Sequence, residues 1–251
     1  MTFRGNPTRD LLAARKIIFY NNKSIIIIGG GTSTLDVNWQ NLDYDYVWTC
    51  NDFYLEAKVL SQKIDLFALG YTNDLSSDVL RSKLKQDKPL VYYNPIFYRG
   101  KQNTNEFKEF HSYIENDIFE MEVPFNEPTH TPNGEKNPKT LSGITFRLIN
   151  LALLTEAKQI YFVGFDGWNK EFSNMHAFTK QVGLKDTDTR RTYSGTTESF
   201  VTVFTESFEY FLTMPKYKRL QNLGEGMDYN LGTSISKKHF PLTNKVYEKI
   251  K

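Results

Sequence analysis

The sequence "YFVGFDGWNKEFSNMHAF", residues 161–178, places an apolar run, a glycine, an aspartate, a tryptophan and a histidine in close succession. An imidazole titrates near neutrality, so His176 suits acid or base work. Met175 and Phe178 flank it in a long polar segment. The question this stretch raises is whether Gly164 and Asp166 form a catalytic edge or close an ordinary strand.

A second candidate is "IIIIGGGTST", where Gly29, Gly30 and Gly31 end an apolar run ahead of Ser33. Glycines there allow a tight turn and a close approach of backbone to a phosphate or sugar. A dinucleotide fingerprint wants a third glycine where this chain has Thr34, so the pattern points to a nucleotide other than NAD(P). Asp52 stands where a ribose-binding acid would fall. Its neighbour Asn51, in "CNDF", can both donate to and accept from a ribose hydroxyl or a base edge, or simply close a turn. Ser142 and Gly143 open an apolar helix, where Ser142 can cap the free N–H groups or leave them to an anion.

Two D-x-D triplets raise the question of a metal. Asp43 and Asp45 precede a strand, at the wrong end of the expected sheet, and Asp186 and Asp188 sit in a polar loop with no strand to fix them. Divalent ions need rigid oxygen ligands, and neither triplet is read as a site. Arg190 and Arg191 could meet a diphosphate from the same loop or be solvated. His111 and His239 read as surface residues; His130 lies in a Pro/Asn loop.

The elements that must position these groups alternate. Strands are expected at Ser24–Gly30, Tyr46–Asn51, Ile64–Gly70, Pro89–Asn94 and Gln159–Phe165. Helices are expected at Arg9–Tyr20, Ser76–Gln86, Asn105–Ile114, Ser142–Ala157 and Thr197–Met214. Continuous β-branched runs suit buried parallel strands, and the alternation predicts an α/β fold with a parallel sheet covered on both faces. The segment 167–197 is long, polar and weakly periodic, which reads as a lid-like loop within a single domain spanning 1–251.

Composition narrows the class. A formal charge of +2 gives no basic face for nucleic acid, and one cysteine among 251 residues excludes an internal disulfide and a cysteine-built zinc site. The 19 Phe and 15 Tyr imply mainly an aromatic core. No apolar run reaches membrane-spanning length, and the N-terminus lacks the apolar segment of a signal peptide, so the expectation is a cytoplasmic chain. The basic end "SKKHF…KVYEKIK" reads as a solvated tail, with peripheral contact to the inner face of an anionic membrane as the alternative.

Taken in order, "GGGTS", "CNDFY", "SG" before the apolar helix and "IYFVGFD" resemble the bacterial lipooligosaccharide sialyltransferases that use CMP-sialic acid. That family runs Gly-Asn-Gly-Pro-Ser, Cys-Asn-Gln-Phe-Tyr, Thr-Ser-Gly and Ile-Tyr-Leu-Ser-Gly-Ile-Asp, and the resemblance covers roughly Ser24–Phe67 and Leu141–Phe178. It implies a Rossmann-like domain with a lid and metal-independent, inverting transfer of a nonulosonic sugar to a glycan such as a lipooligosaccharide. The donor would be a CMP-activated sugar, with no further cofactor. Asn51 would hold the nucleotide, Ser142 and Gly143 would contact the donor, and Gly164 and Asp166 would line the same cleft.

The departures are specific. Gly30 replaces the family's first-turn asparagine, and Lys139 replaces an arginine, keeping charge without a bidentate fork. Trp168 and His176 stand where the family has phosphate-binding tyrosines, and both can donate a hydrogen bond. Thr196 falls at the family's base histidine and cannot replace it. That leaves His176 or Asp166 to deprotonate the acceptor, or His176 to hold the leaving phosphate. Archaeal 6-hydroxymethylpterin diphosphokinases are similar in the glycine turn and the Gly-x-Asp strand end, which gives ATP-dependent diphosphate transfer as the alternative. A non-catalytic nucleotide- or glycan-binding protein is the third reading.

Overall fold

The computed structural model describes residues 20–31, 33–69, 77–93, 104–105, 108–109, 112, 118–120, 144–165, 208–214, 216–224 and 244–251. Seven strands form one sheet among them: β1 Ser24–Ile28, β2 Tyr46–Cys50, β3 Leu66–Leu69, β4 Leu90–Tyr93, β5 Ile118–Glu120, β6 Gln159–Val163 and β7 Leu220–Asn222. Their order is β5-β4-β3-β2-β1-β6-β7, and every adjacent pair is parallel. The chain builds outward from β1 to one edge, then returns to lay β6 on the other side of β1.

β1 explains why the sheet has two covered faces. Ile25 and Ile27 point into one core, Ile26 and Ile28 into the other, and all four are fully buried. Burying one such side chain stabilises by about 1.5–3 kcal/mol, so a strand buried on both sides needs a continuous apolar run. The first core is closed by α4 (Ile144–Leu154) and the helical segment 208–213, where Phe146, Phe162, Phe165, Phe208 and Phe211 meet mostly edge to face. The second is closed by Val37, Trp39 and Leu42 after α1 (Ser33–Asp36), and by α2 (Ala57–Leu60), α3 (Asp78–Asp87) and α5 (Asn244–Ile250). Among the described residues, Trp39, Trp48, Tyr54, Phe67, Phe162, Phe208 and Phe211 are the largest fully buried side chains.

Helix boundaries follow local chemistry. Ser77 caps α3 by accepting from the Leu80 N–H at 3.4 Å, and Lys88 closes it at φ 49°. α4 is buried on most of its surface, as its sequence predicts, and the Arg219 guanidinium caps its C-terminal end by donating to the carbonyls of Leu153, Thr155 and Ala157. Burial there pulls the guanidinium below its ordinary pKa.

Residues 244–251 correct the tail reading. Residues 244–250 form α5, with Ile250 buried in the second core. Asn38 N–H donates to the Ile250 carbonyl at 3.0 Å, Asn38 Nδ2 to Lys251 O at 3.0 Å, and Asn41 Nδ2 to Lys249 O at 3.2 Å. A hydrophobic anchor with three backbone acceptors satisfied is a docked helix. The predicted helix Arg9–Tyr20, apart from Tyr20, and the predicted lid 167–197 lie outside the described residues.

Candidate functional site

In an open parallel sheet, ligands bind beyond the carboxyl ends of the strands where strand order reverses. Here that point lies between β1 and β6, and the two strands leave it in opposite directions. After β1 the chain turns toward the face of Val37 and Trp39; after β6, Phe165 turns into the other core. The glycine run and the Gly-x-Asp edge thus come together from distant parts of the chain.

Their contact is backbone on backbone. Gly29 N–H donates to the Val163 carbonyl at 2.8 Å and Gly31 N–H to the Gly164 carbonyl at 2.9 Å, extending the ladder past the strand ends. A Cβ on Gly29 would lie 2.6 Å from the Gly164 oxygen, and one on Gly164 would lie 2.5 Å from the Gly29 oxygen. Gly164 also has φ 76°, which a side chain would strain. Both glycines are dictated by this crossing.

Two hydroxyls lock it. Ser33 Oγ accepts from the Gly164 N–H at 3.1 Å, and Thr34 Oγ1 donates to the Gly29 carbonyl at 3.2 Å. Ser33, expected to touch substrate, thus has a demonstrable structural role across the switch point. Gly30 is buried and Gly31 half-buried beside it. Thr34, which breaks the dinucleotide fingerprint, is fully buried and ties the turn to β1.

Next to this crossing, β2 is followed by Asn51, which is buried and holds a left-handed conformation at φ 51°. Asparagine tolerates that region better than most residues. A 3₁₀ turn, Asn51–Leu55, begins there and includes Asp52. Thr49 Oγ1 donates to the Ile28 carbonyl at 3.1 Å, joining the ends of β2 and β1. Among the predicted site residues, the structure thus gathers Gly29, Gly30, Gly31, Ser33, Asn51 and Gly164 at the carboxyl ends of β1, β2 and β6. Ser142, Gly143, Asp166, Trp168 and His176 lie outside the described residues, beside its edges in sequence.

One contributor carried no sequence signal. Lys58 of α2 extends its ammonium to the carbonyls of Leu35 at 2.7 Å, Val37 at 3.2 Å and Thr34 at 3.4 Å. Its helix is opened by buried Glu56, whose carboxylate accepts from the N–H groups of Lys58 at 3.1 Å and Val59 at 3.0 Å.

The D-x-D pair Asp43 and Asp45 lies at the opposite, amino end of the sheet, as its sequence position predicts. Asp45 pairs with Lys23 at 2.8 Å and accepts from the Ser24 N–H at 2.8 Å, while Asp43 pairs with Lys249 at 2.6 Å. Among the described residues, no cluster of three or more His, Cys, Asp or Glu side chains is placed to hold a metal. Among them, too, no helix is long and apolar enough to cross a membrane.

No protein-family model matches this chain, and no curated protein matches it in sequence. Its fold does have relatives. The sialyltransferase CstII from Campylobacter jejuni, in complex with the substrate analogue CMP-3FNeuAc, aligns with a TM-score of 0.51 at 17% identity, covering 90% of this chain and 98% of that one. A second structure, sialyltransferase CST-II with a trisaccharide acceptor and CMP, aligns at 0.47 and 18% identity over 89% and 87% of the two chains. The chain is therefore an α/β protein with a Rossmann-like, all-parallel described sheet, similar in fold to the sialyltransferase CstII.

Proposed function

We propose that the protein is a glycosyltransferase that moves a sialic acid-like, nonulosonic sugar from a CMP donor to a glycan, with inversion and without a metal. The observation that carries this reading is the glycine crossing at the β1–β6 switch point with Asn51 at the end of the adjacent strand. That arrangement belongs to a fold shared with a sialyltransferase solved with a CMP-sugar analogue. Glycines at the strand ends let a phosphate or ribose approach the backbone, and an asparagine amide can read a nucleotide.

In this reading Gly29, Gly30, Gly31, Asn51 and Asp52 face the nucleotide, and Ser142, Gly143, Gly164 and Trp168 face the donor's phosphate and sugar. Asp166 or His176 takes the acceptor proton. If His176 instead neutralises the departing phosphate, Asp166 is left as the base.

Titration of CMP, ATP and NADH, each with and without magnesium, tests the proposal. Magnesium-independent CMP binding with release of free sugar from a CMP-sugar is the expected result. Magnesium-dependent ATP binding alone would replace it with the diphosphokinase reading. CMP binding without turnover of any donor would leave a nucleotide-binding module.

A further inference from the structure

The turn after β1 and the turn after the neighbouring strand β2 are joined by one side chain. Lys58 sits on α2, directly after the Asn51–Leu55 turn, yet all its ammonium contacts are carbonyls of the turn after β1. An ammonium has three protons, and Thr34, Leu35 and Val37 supply three acceptors. Thr34 is the residue whose hydroxyl holds Gly29, and its carbonyl also receives the Trp39 indole N–H at 3.1 Å. Among the described residues no carboxylate forms an ion pair with Lys58, so its charge is met by these carbonyls.

We infer that Lys58 is a positioning residue that fixes the glycine turn relative to Asn51 and thereby sets nucleotide affinity; its functional half rests on the CMP-donor reading above. α1 has only four residues and cannot hold its own orientation by length. The carbonyls at its C-terminal end point toward α2, where a cation is favourable. The Glu56 carboxylate holds the start of α2, so the strut has a fixed base at one end and the glycine turn at the other. Moving either end shifts the Gly29–Gly164 crossing against Asn51.

The test compares Lys58→Met, which keeps the aliphatic stem, with Lys58→Arg, which restores the charge. Hydrogen exchange and CMP titration are read on the same samples. Expected for Lys58→Met are exchange accelerated at the amides of Gly31, Thr34 and Val37, unchanged exchange in β3 and β4, and CMP affinity lower by about tenfold as the glycine turn loses its fixed position. Lys58→Arg should recover most of that loss. Unchanged exchange in Lys58→Met overturns the strut, and acceleration spread across the whole sheet overturns it in favour of a general stabilising role. Local acceleration with unaltered CMP binding overturns the link to affinity. If the unmodified protein does not bind CMP while the local exchange change appears, the strut stands and the donor reading falls.

Discussion

Gly29 and Gly164 touch through their backbones so closely that a methyl group on either would sit within 2.6 Å of the other's carbonyl oxygen. The opposing atoms are backbone, so neither can swing aside. Gly29→Ala is expected to cost about 1–3 kcal/mol, the usual penalty of overpacking. Gly164→Ala should cost more, since its φ of 76° adds roughly 1–2 kcal/mol of conformational strain. Urea denaturation checks the ranking; equal stability for both variants would contradict it.

Asn51 separates backbone geometry from recognition. Asn51→Gly should keep the left-handed turn, since glycine meets no Cβ penalty, so any loss of stability comes from the missing side chain. CMP affinity should still drop by about tenfold or more through loss of the amide. Thermal unfolding and CMP titration on the same variant are the paired measurements, and undiminished binding would remove Asn51 from the site.

His176→Ala should lower donor turnover at least about tenfold, since a general acid–base group supplies roughly 10²–10⁴-fold. The pH profile then distinguishes the two roles. A base contributes a rising limb as the imidazole loses its proton, whereas a charged phosphate ligand contributes a falling one. Full activity in this variant would exclude both.

Lys83 and Asp87 form a buried ion pair at 2.9 Å, and both partners are committed elsewhere. Lys83 Nζ donates to the carbonyls of Leu60 and Gln62, and Asp87 accepts from the Ile64 N–H at 2.9 Å. Lys83→Met would strand a buried carboxylate and should cost about 3–5 kcal/mol. Replacing Asp87 by Leu in the same variant should recover part of that, but not all, because the Ile64 N–H would lose its acceptor. A double variant as stable as the parent would show that the backbone bond is dispensable.

Burial raises Tyr210 to about 12. Its neutral form is favoured in the folded state, so this stabilisation is complete below the tyrosine's ordinary value near about 10 and is lost as pH climbs toward the folded value. Tyrosinate absorbance should therefore rise together with unfolding in that window, and Tyr210→Phe should delay the transition. The carboxylates Asp43 and Asp45 behave oppositely. Hydrogen bonds from Lys249 and Lys23 hold them below the usual carboxylate range, so their contribution is present above about pH 4 and fades as acid protonates them. Because both are exposed, added salt should weaken the effect.

The central strands were legible because a parallel strand buried on both sides has to be written as an unbroken apolar run. "SIIII" and "QIYFV" could be little else. The predicted strand ends overshot by the turn residues Gly29, Gly30 and Asn51, where the chain leaves β1 and β2. The edge strands β5 and β7 escaped notice, being three residues each, with Glu120, Gln221 and Asn222 interrupting the apolar pattern. α5 was hidden by its lysines, since only Ile250 and its contacts reveal that it docks. At the site, residue types announced the glycines and Asn51. The bond from Gly164 to Ser33 spans 131 positions and has no local trace, and Lys58 looks like any surface lysine until its carbonyls are seen.

The strand order has a consequence for the growing chain. Until Gln159–Val163 has been made, β1 is the edge of a partial sheet, and it presents four consecutive isoleucines with one row of backbone groups unpaired. Such an edge invites another chain to add to it. A nascent or truncated protein that stops short of β6 should therefore associate with itself, and the arrival of β6 both covers that hazard and brings the second glycine of the crossing into place.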